Sequence, residues 1–68
     1  MTPADFAAWV EEMLKTRGWT RQRCSVELDC GINQIARWSR SSAKIPRYIG
    51  LACAALVEEL EPWKASRH

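Results

Sequence analysis

Apolar side chains recur along this chain at the spacing of amphipathic helices. In the first stretch they lie four residues apart with two more beside the stripe, namely Phe6, Val10 and Leu14 flanked by Trp9 and Met13. Thr2 precedes this stretch as a cap, with Asp5 three residues later in the arrangement of a capping box. The pattern predicts a helix from Pro3 to about Arg17, ended by Gly18.

Residues 19–38 contain two shorter helical patterns, joined by a break that leaves room only for a tight turn. Thr20 as a cap predicts a second helix over residues 21–28 or 21–29. Gly31 is a permissive turn or cap residue before Ile32, and a third helix is expected over about residues 31–39. Each helix has one narrow apolar stripe, formed by Cys24 and Leu28 in the second and by Ile35 and Trp38 in the third.

The last helical pattern opens at Pro46 and is expected to stop at Pro62. It follows a polar loop that contains Ser39, Arg40, Ser41 and Ser42. Three further apolar residues, Leu51, Ala55 and Val57, lie outside its main stripe. They either form a dimer contact or pack on the first helix of the same chain.

These patterns predict an all-α fold, a compact domain of four to five helices over residues 1–62 with a frayed tail at 63–68. A chain of 68 residues forms one domain, and a domain of this size buries only about 60% of its unfolded surface. The expected core takes one or more apolar residues from every stripe: Phe6, Val10, Leu14, Trp19, Cys24, Leu28, Ile35, Trp38, Ile49, Cys53, Leu56 and Leu60.

Charge is distributed unevenly, although the formal net charge is only +2. Residues 15–47 carry eight basic side chains against Glu27 and Asp29, whereas the other acids lie near the two ends. The folded domain is therefore expected to have a basic side suited to a polyanion and an acidic side, the alternative being an ordinary solvated charge run.

Several classes of protein are disfavoured. Three cysteines are an odd number and no secretory leader precedes them, so we expect free thiols in a reducing cytosol, with Cys24 and Cys53 as core fillers. No C-x-x-C pair exists, and the one histidine, His68, is the last residue, so we expect neither a metal site nor a catalytic base. No apolar run has the length of a membrane span. We predict a protein without cofactors that is not an enzyme.

Residues of about 6 to 60 resemble the phage repressor and Cro family of helix-turn-helix regulators, often called XRE-type. The matching residues are Leu14, Gly18, Trp19, Thr20, Leu28, Ile35, Arg37, Trp38 and Pro46. The chain departs from the family pattern at four places. Cys24 and Ser25 stand where the family has Leu-Ala, and Asp29 stands where it has the turn glycine. Gly31 replaces the capping Ser or Thr, and Ser41 replaces the loop glycine.

The resemblance implies a transcriptional regulator, expected to be a repressor, that binds double-stranded DNA as a homodimer with half-sites about 34 Å apart. The third helix would lie in the major groove and contact bases through Ile32, Asn33, Gln34, Ala36 and Arg37. Phosphates would be held by Thr20, Arg21, Arg23, Arg40, Lys44 and Arg47.

A protein partner remains an open alternative, with the same fold serving a phage or mobile-element protein that inhibits a host protein or nucleoprotein complex. Trp9 and Trp63 are then the candidate interface anchors, since the other two tryptophans occupy core positions of the pattern. The acidic residues Glu58, Glu59 and Glu61 would contact a basic partner or mimic nucleic acid.

Overall fold

The computed structural model describes residues 1–40 and 44–65, and over these residues the fold is all-helical. It consists there of four helices: α1 (Pro3–Arg17), α2 (Arg21–Glu27), α3 (Ile32–Arg40) and α4 (Arg47–Val57). The predicted all-α class is therefore confirmed. None of these helices is long and apolar enough to cross a membrane. The predicted loop serines Ser41 and Ser42 and the last three residues of the predicted tail lie outside the described residues.

Local hydrogen bonds set both ends of α1, as the sequence predicts. Thr2 Oγ1 accepts a hydrogen bond from the Asp5 amide at 3.1 Å, and the Asp5 carboxylate accepts one from the Thr2 amide at 2.9 Å. The bond from the Thr2 amide holds the pKa of Asp5 below its ordinary value. At the other end Gly18 takes a left-handed conformation with φ 66°, and its amide donates to the carbonyl of Met13.

A left-handed residue that is not glycine ends α2. Asp29 has φ 55°, and its amide donates to the Val26 carbonyl at 3.1 Å. The next amide, of Cys30, donates to the Ser25 carbonyl at 2.9 Å, which completes a Schellman motif. Aspartate tolerates this conformation better than most residues, so it can stand where the resembled family has glycine. The connection to α3 is consequently only four residues long.

The predicted bounds of α4 are wrong at both ends. Pro46 is the cap rather than the first helical residue, and the helix ends at Val57 instead of continuing to Pro62. The same Schellman motif ends it, because Glu59 has φ 57° and the Leu60 amide donates to the Ala55 carbonyl at 2.9 Å. No glycine marks this end in the sequence, so the helical pattern predicts too long a helix.

The core lies where α1 contacts the other three helices. The Phe6 ring packs edge-on against Trp38, with ring centroids 5.6 Å apart, and beside Trp9 at 5.7 Å. The buried apolar side chains are Phe6, Trp9, Val10, Met13, Cys24, Leu28, Ile35, Trp38, Ile45, Ile49 and Cys53. The predicted core does not include Trp9, Met13 or Ile45.

Four residues of the predicted core are less buried than expected. Leu14, Trp19 and Leu56 are partly buried and pack against the edge of the core. Leu60 is 64% exposed, which contradicts its assignment to the core. The reason is the turn at Glu59, which carries Leu60 off the buried side of α4.

Candidate nucleic-acid interface

Helix α3 buries one side and presents the other to solvent. Ile35 and Trp38 are buried, and Trp38 is held by its contact with Phe6 of α1. On the opposite side four exposed residues follow one another at intervals of three, one and three positions, which places them on one helical face. We call this set, Asn33, Ala36, Arg37 and Arg40, the α3 outer face.

The predicted base-contacting residues divide between this face and its borders. Asn33, Ala36 and Arg37 belong to the α3 outer face. Ile32 is 42% exposed at the first position of the helix, and Gln34 is half-buried at the border with the core. Asn33 and Arg37 therefore extend from the exposed surface, while Gln34 has less freedom to reach a ligand.

Arg40 lies in the last turn of α3, although the sequence predicts it in a loop. The serines around it indicate a break in the helix. Within α3, however, the Ser39 hydroxyl donates to the Ile35 carbonyl at 2.8 Å, so this serine is accommodated by a bond to the preceding turn. The helix thus has one more cation on its outer face.

Helix α2 packs against α3 and contains a small buried residue. Ser25 is buried, and its hydroxyl donates to the Gln22 carbonyl at 2.7 Å, which satisfies the polar group within α2. Because the side chain is small, the two helices can approach closely. The start of α2 is fixed by Thr20, whose Oγ1 accepts from the Arg23 amide at 3.1 Å. Thr20, which is predicted to contact phosphate, therefore also serves as the cap of α2.

Carboxylates already partner two of the predicted phosphate-binding cations. Arg21 lies 3.5 Å from the Glu11 carboxylate, and Arg23 lies 2.8 Å from that of Glu27. The Arg23 guanidinium also stacks over the Trp19 ring, 4.8 Å from its centroid. These exposed pairs contribute little to stability, but they lower the positive potential around α2.

The other three predicted phosphate contacts are exposed cations at the end of α3 and the start of α4. Within residues 1–40 and 44–65, no ion pair engages Arg40, Lys44 or Arg47. Their charges are therefore uncompensated there. Arg40 belongs to the α3 outer face, whereas Lys44 and Arg47 lie before and at the start of α4.

An open groove of about 470 Å³ runs between α2 and the start of α3. Its lining combines exposed apolar side chains with polar ones: Gln22, Ser25, Val26, Asp29, Cys30, Gly31 and Ile32. Val26 is 63% exposed and is not among the site residues predicted from the sequence. Val26 lies outside the apolar stripe of α2, and an apolar residue at such a position is the sequence signal that would have indicated it. The groove extends the accessible surface from α3 onto α2.

The cysteines do not form a reactive centre. Cys24 and Cys53 are buried free thiols and Cys30 is half-buried. Burial raises the pKa of all three thiols, that of Cys53 to about 12, so they remain protonated at neutral pH. Among the described residues no group of His, Cys, Asp or Glu side chains has the arrangement of a metal site.

The chain matches no protein-family model, no curated protein and no solved structure. The resemblance to repressor and Cro proteins therefore remains a prediction from the sequence. The α3 outer face and the exposed cations that follow it in the chain are the features that bear on the predicted DNA binding.

Proposed function

We propose that this protein binds double-stranded DNA in a sequence-specific manner and regulates transcription. The observation that carries the proposal is the two-sided character of α3, which buries Ile35 and Trp38 and exposes Asn33, Ala36, Arg37 and Arg40. An α-helix with its side chains is about 10–12 Å across, and the major groove of DNA is about 12 Å wide. A helix anchored along one side can therefore enter the groove with the other.

The side chains on this face suit the edges of base pairs. Asn33 can donate to and accept from adenine, and Arg37 can donate to guanine O6 and N7. Ala36 and the exposed Ile32 offer apolar contact to a thymine methyl group. Because all four residues lie on one short helix, they would contact neighbouring base pairs.

Phosphate contacts are assigned to the cations without carboxylate partners among the described residues. Arg40 is the last residue of α3, and Lys44 and Arg47 lie before and at the start of α4. Arg21 and Arg23 must exchange Glu11 and Glu27 for phosphates before they contribute, so we expect smaller effects from them. Each phosphate neutralised lowers the slope of log K against log salt by about 0.9.

The test is a selection of DNA fragments by the purified protein, followed by binding measurements on the selected sequence at several salt concentrations. Asn33→Ala is expected to weaken binding by about 1–3 kcal/mol and to relax the preference at one base pair. Lys44→Ala should weaken binding to all sequences and reduce the salt slope by about 1.

A matched control is Lys15→Ala, which removes the same charge from α1, the helix that packs on the buried side of α3. This variant should bind as the unaltered protein does. Failure to select any sequence, or equal losses from Lys15→Ala and Lys44→Ala, would refute the proposal and favour a protein partner instead. Trp9 is only 7% exposed, so of the two tryptophans considered for that alternative only Trp63, 72% exposed, could anchor a partner.

A further inference from the structure

Two arginines of α2 are each held by a glutamate. Nε of Arg23 lies 2.8 Å from a carboxylate oxygen of Glu27, one turn further along the same helix. Nη2 of Arg21 lies 3.5 Å from a carboxylate oxygen of Glu11, which belongs to α1. The four side chains are between 31% and 60% exposed, so a macromolecular ligand can reach both pairs.

Folding stability does not explain these pairs. In α2 the arginine precedes the glutamate by four residues, which is the order that stabilises a helix less. Exposed ion pairs in general contribute little to stability. Arg23 has a second contact, since its guanidinium carbon lies 4.8 Å from the centroid of the Trp19 ring, and Trp19 packs against the core. The ring keeps Arg23 near its position when the carboxylate of Glu27 is neutralised or displaced.

A phosphate that binds either arginine must displace its glutamate. Because the glutamate belongs to the same chain, it competes at a high effective concentration. Each contact is weak, so the outcome depends on which anion is held in place. On unrelated sequences a DNA-binding protein slides along the duplex, and no phosphate stays beside the arginine. Base contacts on a preferred sequence fix the position of the protein, and a phosphate is then held at one place.

We propose that Glu11 and Glu27 keep Arg21 and Arg23 from the phosphates of unrelated DNA and release them on the preferred sequence. This inference rests on the proposed function, and it makes the two glutamates specificity determinants that contact no base. On unrelated DNA the carboxylates stay in place and repel the nearby phosphates. The exposed cations at the end of α3 and the start of α4, which make no ion pair within the described residues, contact phosphates of any sequence.

The first test compares binding to the selected duplex and to a scrambled duplex at several salt concentrations. For the unaltered protein, log K should fall more steeply with log salt on the selected duplex. Glu11→Gln combined with Glu27→Gln should steepen the slope on the scrambled duplex by about 1.8, because two more phosphates are neutralised at about 0.9 each. The scrambled duplex should then bind about tenfold more tightly or better at 0.15 M salt, while binding to the selected duplex changes less.

A matched control is Glu12→Gln combined with Glu58→Gln. It changes the net charge equally, but neither acid makes an ion pair within residues 1–40 and 44–65. The control should leave the difference between the two slopes unchanged, and circular dichroism confirms that each variant is folded. A protein that selects no sequence refutes the proposed function. A selected sequence whose slope difference persists in the Glu11 and Glu27 variant, or also disappears in the control, overturns this inference alone.

The second test observes Arg23 in the unaltered protein. Its Nε–H donates to Glu27, so the signal of this group in a proton–nitrogen correlation NMR spectrum reports which anion it contacts. Arg23→Lys removes the signal and thereby assigns it. We expect one position of the signal in the free protein and with the scrambled duplex, and a different position with the selected duplex. An equal shift with both duplexes, or no shift with either, would overturn the proposal.

Discussion

Glu59 has the left-handed backbone of a helix C′ position without being glycine, and its replacement should stabilise the protein. Its φ is 57°, a conformation that costs a residue with a Cβ about 1–2 kcal/mol. Glycine removes this cost but adds about 0.4–1 kcal/mol of chain entropy to the unfolded state. The substitution also removes a 3.9 Å ion pair with Arg17 in which the glutamate is 78% exposed, and such pairs contribute almost nothing. The net stabilisation expected for Glu59→Gly is about 0.5–1 kcal/mol.

Urea and thermal unfolding followed by circular dichroism measure this change. For a domain of this size the stabilisation corresponds to a rise in Tm of about 2–8 °C. Glu59→Ala removes the same carboxylate but keeps the strain, so it should be less stable than Glu59→Gly. Glu58→Gly, at a residue with φ −84°, has no strain to relieve and should destabilise the protein. If Glu59→Gly were no more stable than Glu59→Ala, the backbone at this position would carry no left-handed strain.

Three further outcomes are expected. Gly50→Ala should stabilise α4 by about 0.8–1 kcal/mol, because alanine has the higher helix propensity and the added Cβ meets Met1 Cβ at 3.4 Å without a clash. Lower stability in urea unfolding would show that Met1 cannot adjust. Thr20→Ala should cost about 1 kcal/mol by removing the acceptor for the Arg23 amide, while Thr20→Ser should retain most of the stability; equal destabilisation by both would contradict the cap. Burial raises the pKa of Cys53 from its ordinary 9.0 to about 12, so stability present below pH 9 should fall as the pH rises toward 12. Urea unfolding of Cys53→Ala at pH 7 and pH 10 should show a smaller alkaline decrease in stability than the unaltered protein, and an identical decrease would exclude the thiol as its cause.

Helix ends closed by side chains or by glycine are predictable from the sequence. Thr2 and Asp5 bond each other's amides, and Thr20 and Gly18 act within a few residues of their own positions. Asp29 is predictable for the same reason, as a residue that tolerates the left-handed conformation. In each case the groups that form the cap are neighbours in the chain, so their spacing alone specifies the structure.

The end of α4 requires the tertiary structure. Glu59 has no local preference for a left-handed backbone, and the turn is accompanied by contacts from Arg17, forty residues before Val57 in the chain. The same turn moves Leu60 out of the predicted core. Nothing in the spacing of residues near the turn indicates such a contact.

The candidate interface likewise has some features that the sequence predicts and others that only the tertiary structure determines. The three-residue spacing of Ile35 and Trp38 predicts which side of α3 is buried. Because helical geometry fixes the opposite face, it also predicts that Asn33 and Arg37 are exposed. The ion pair of Arg21 with Glu11, in contrast, arises only when α1 and α2 pack together. Local hydrogen bonding and periodicity are encoded within a few residues of sequence, whereas which surfaces and charges meet is decided only when distant helices come into contact.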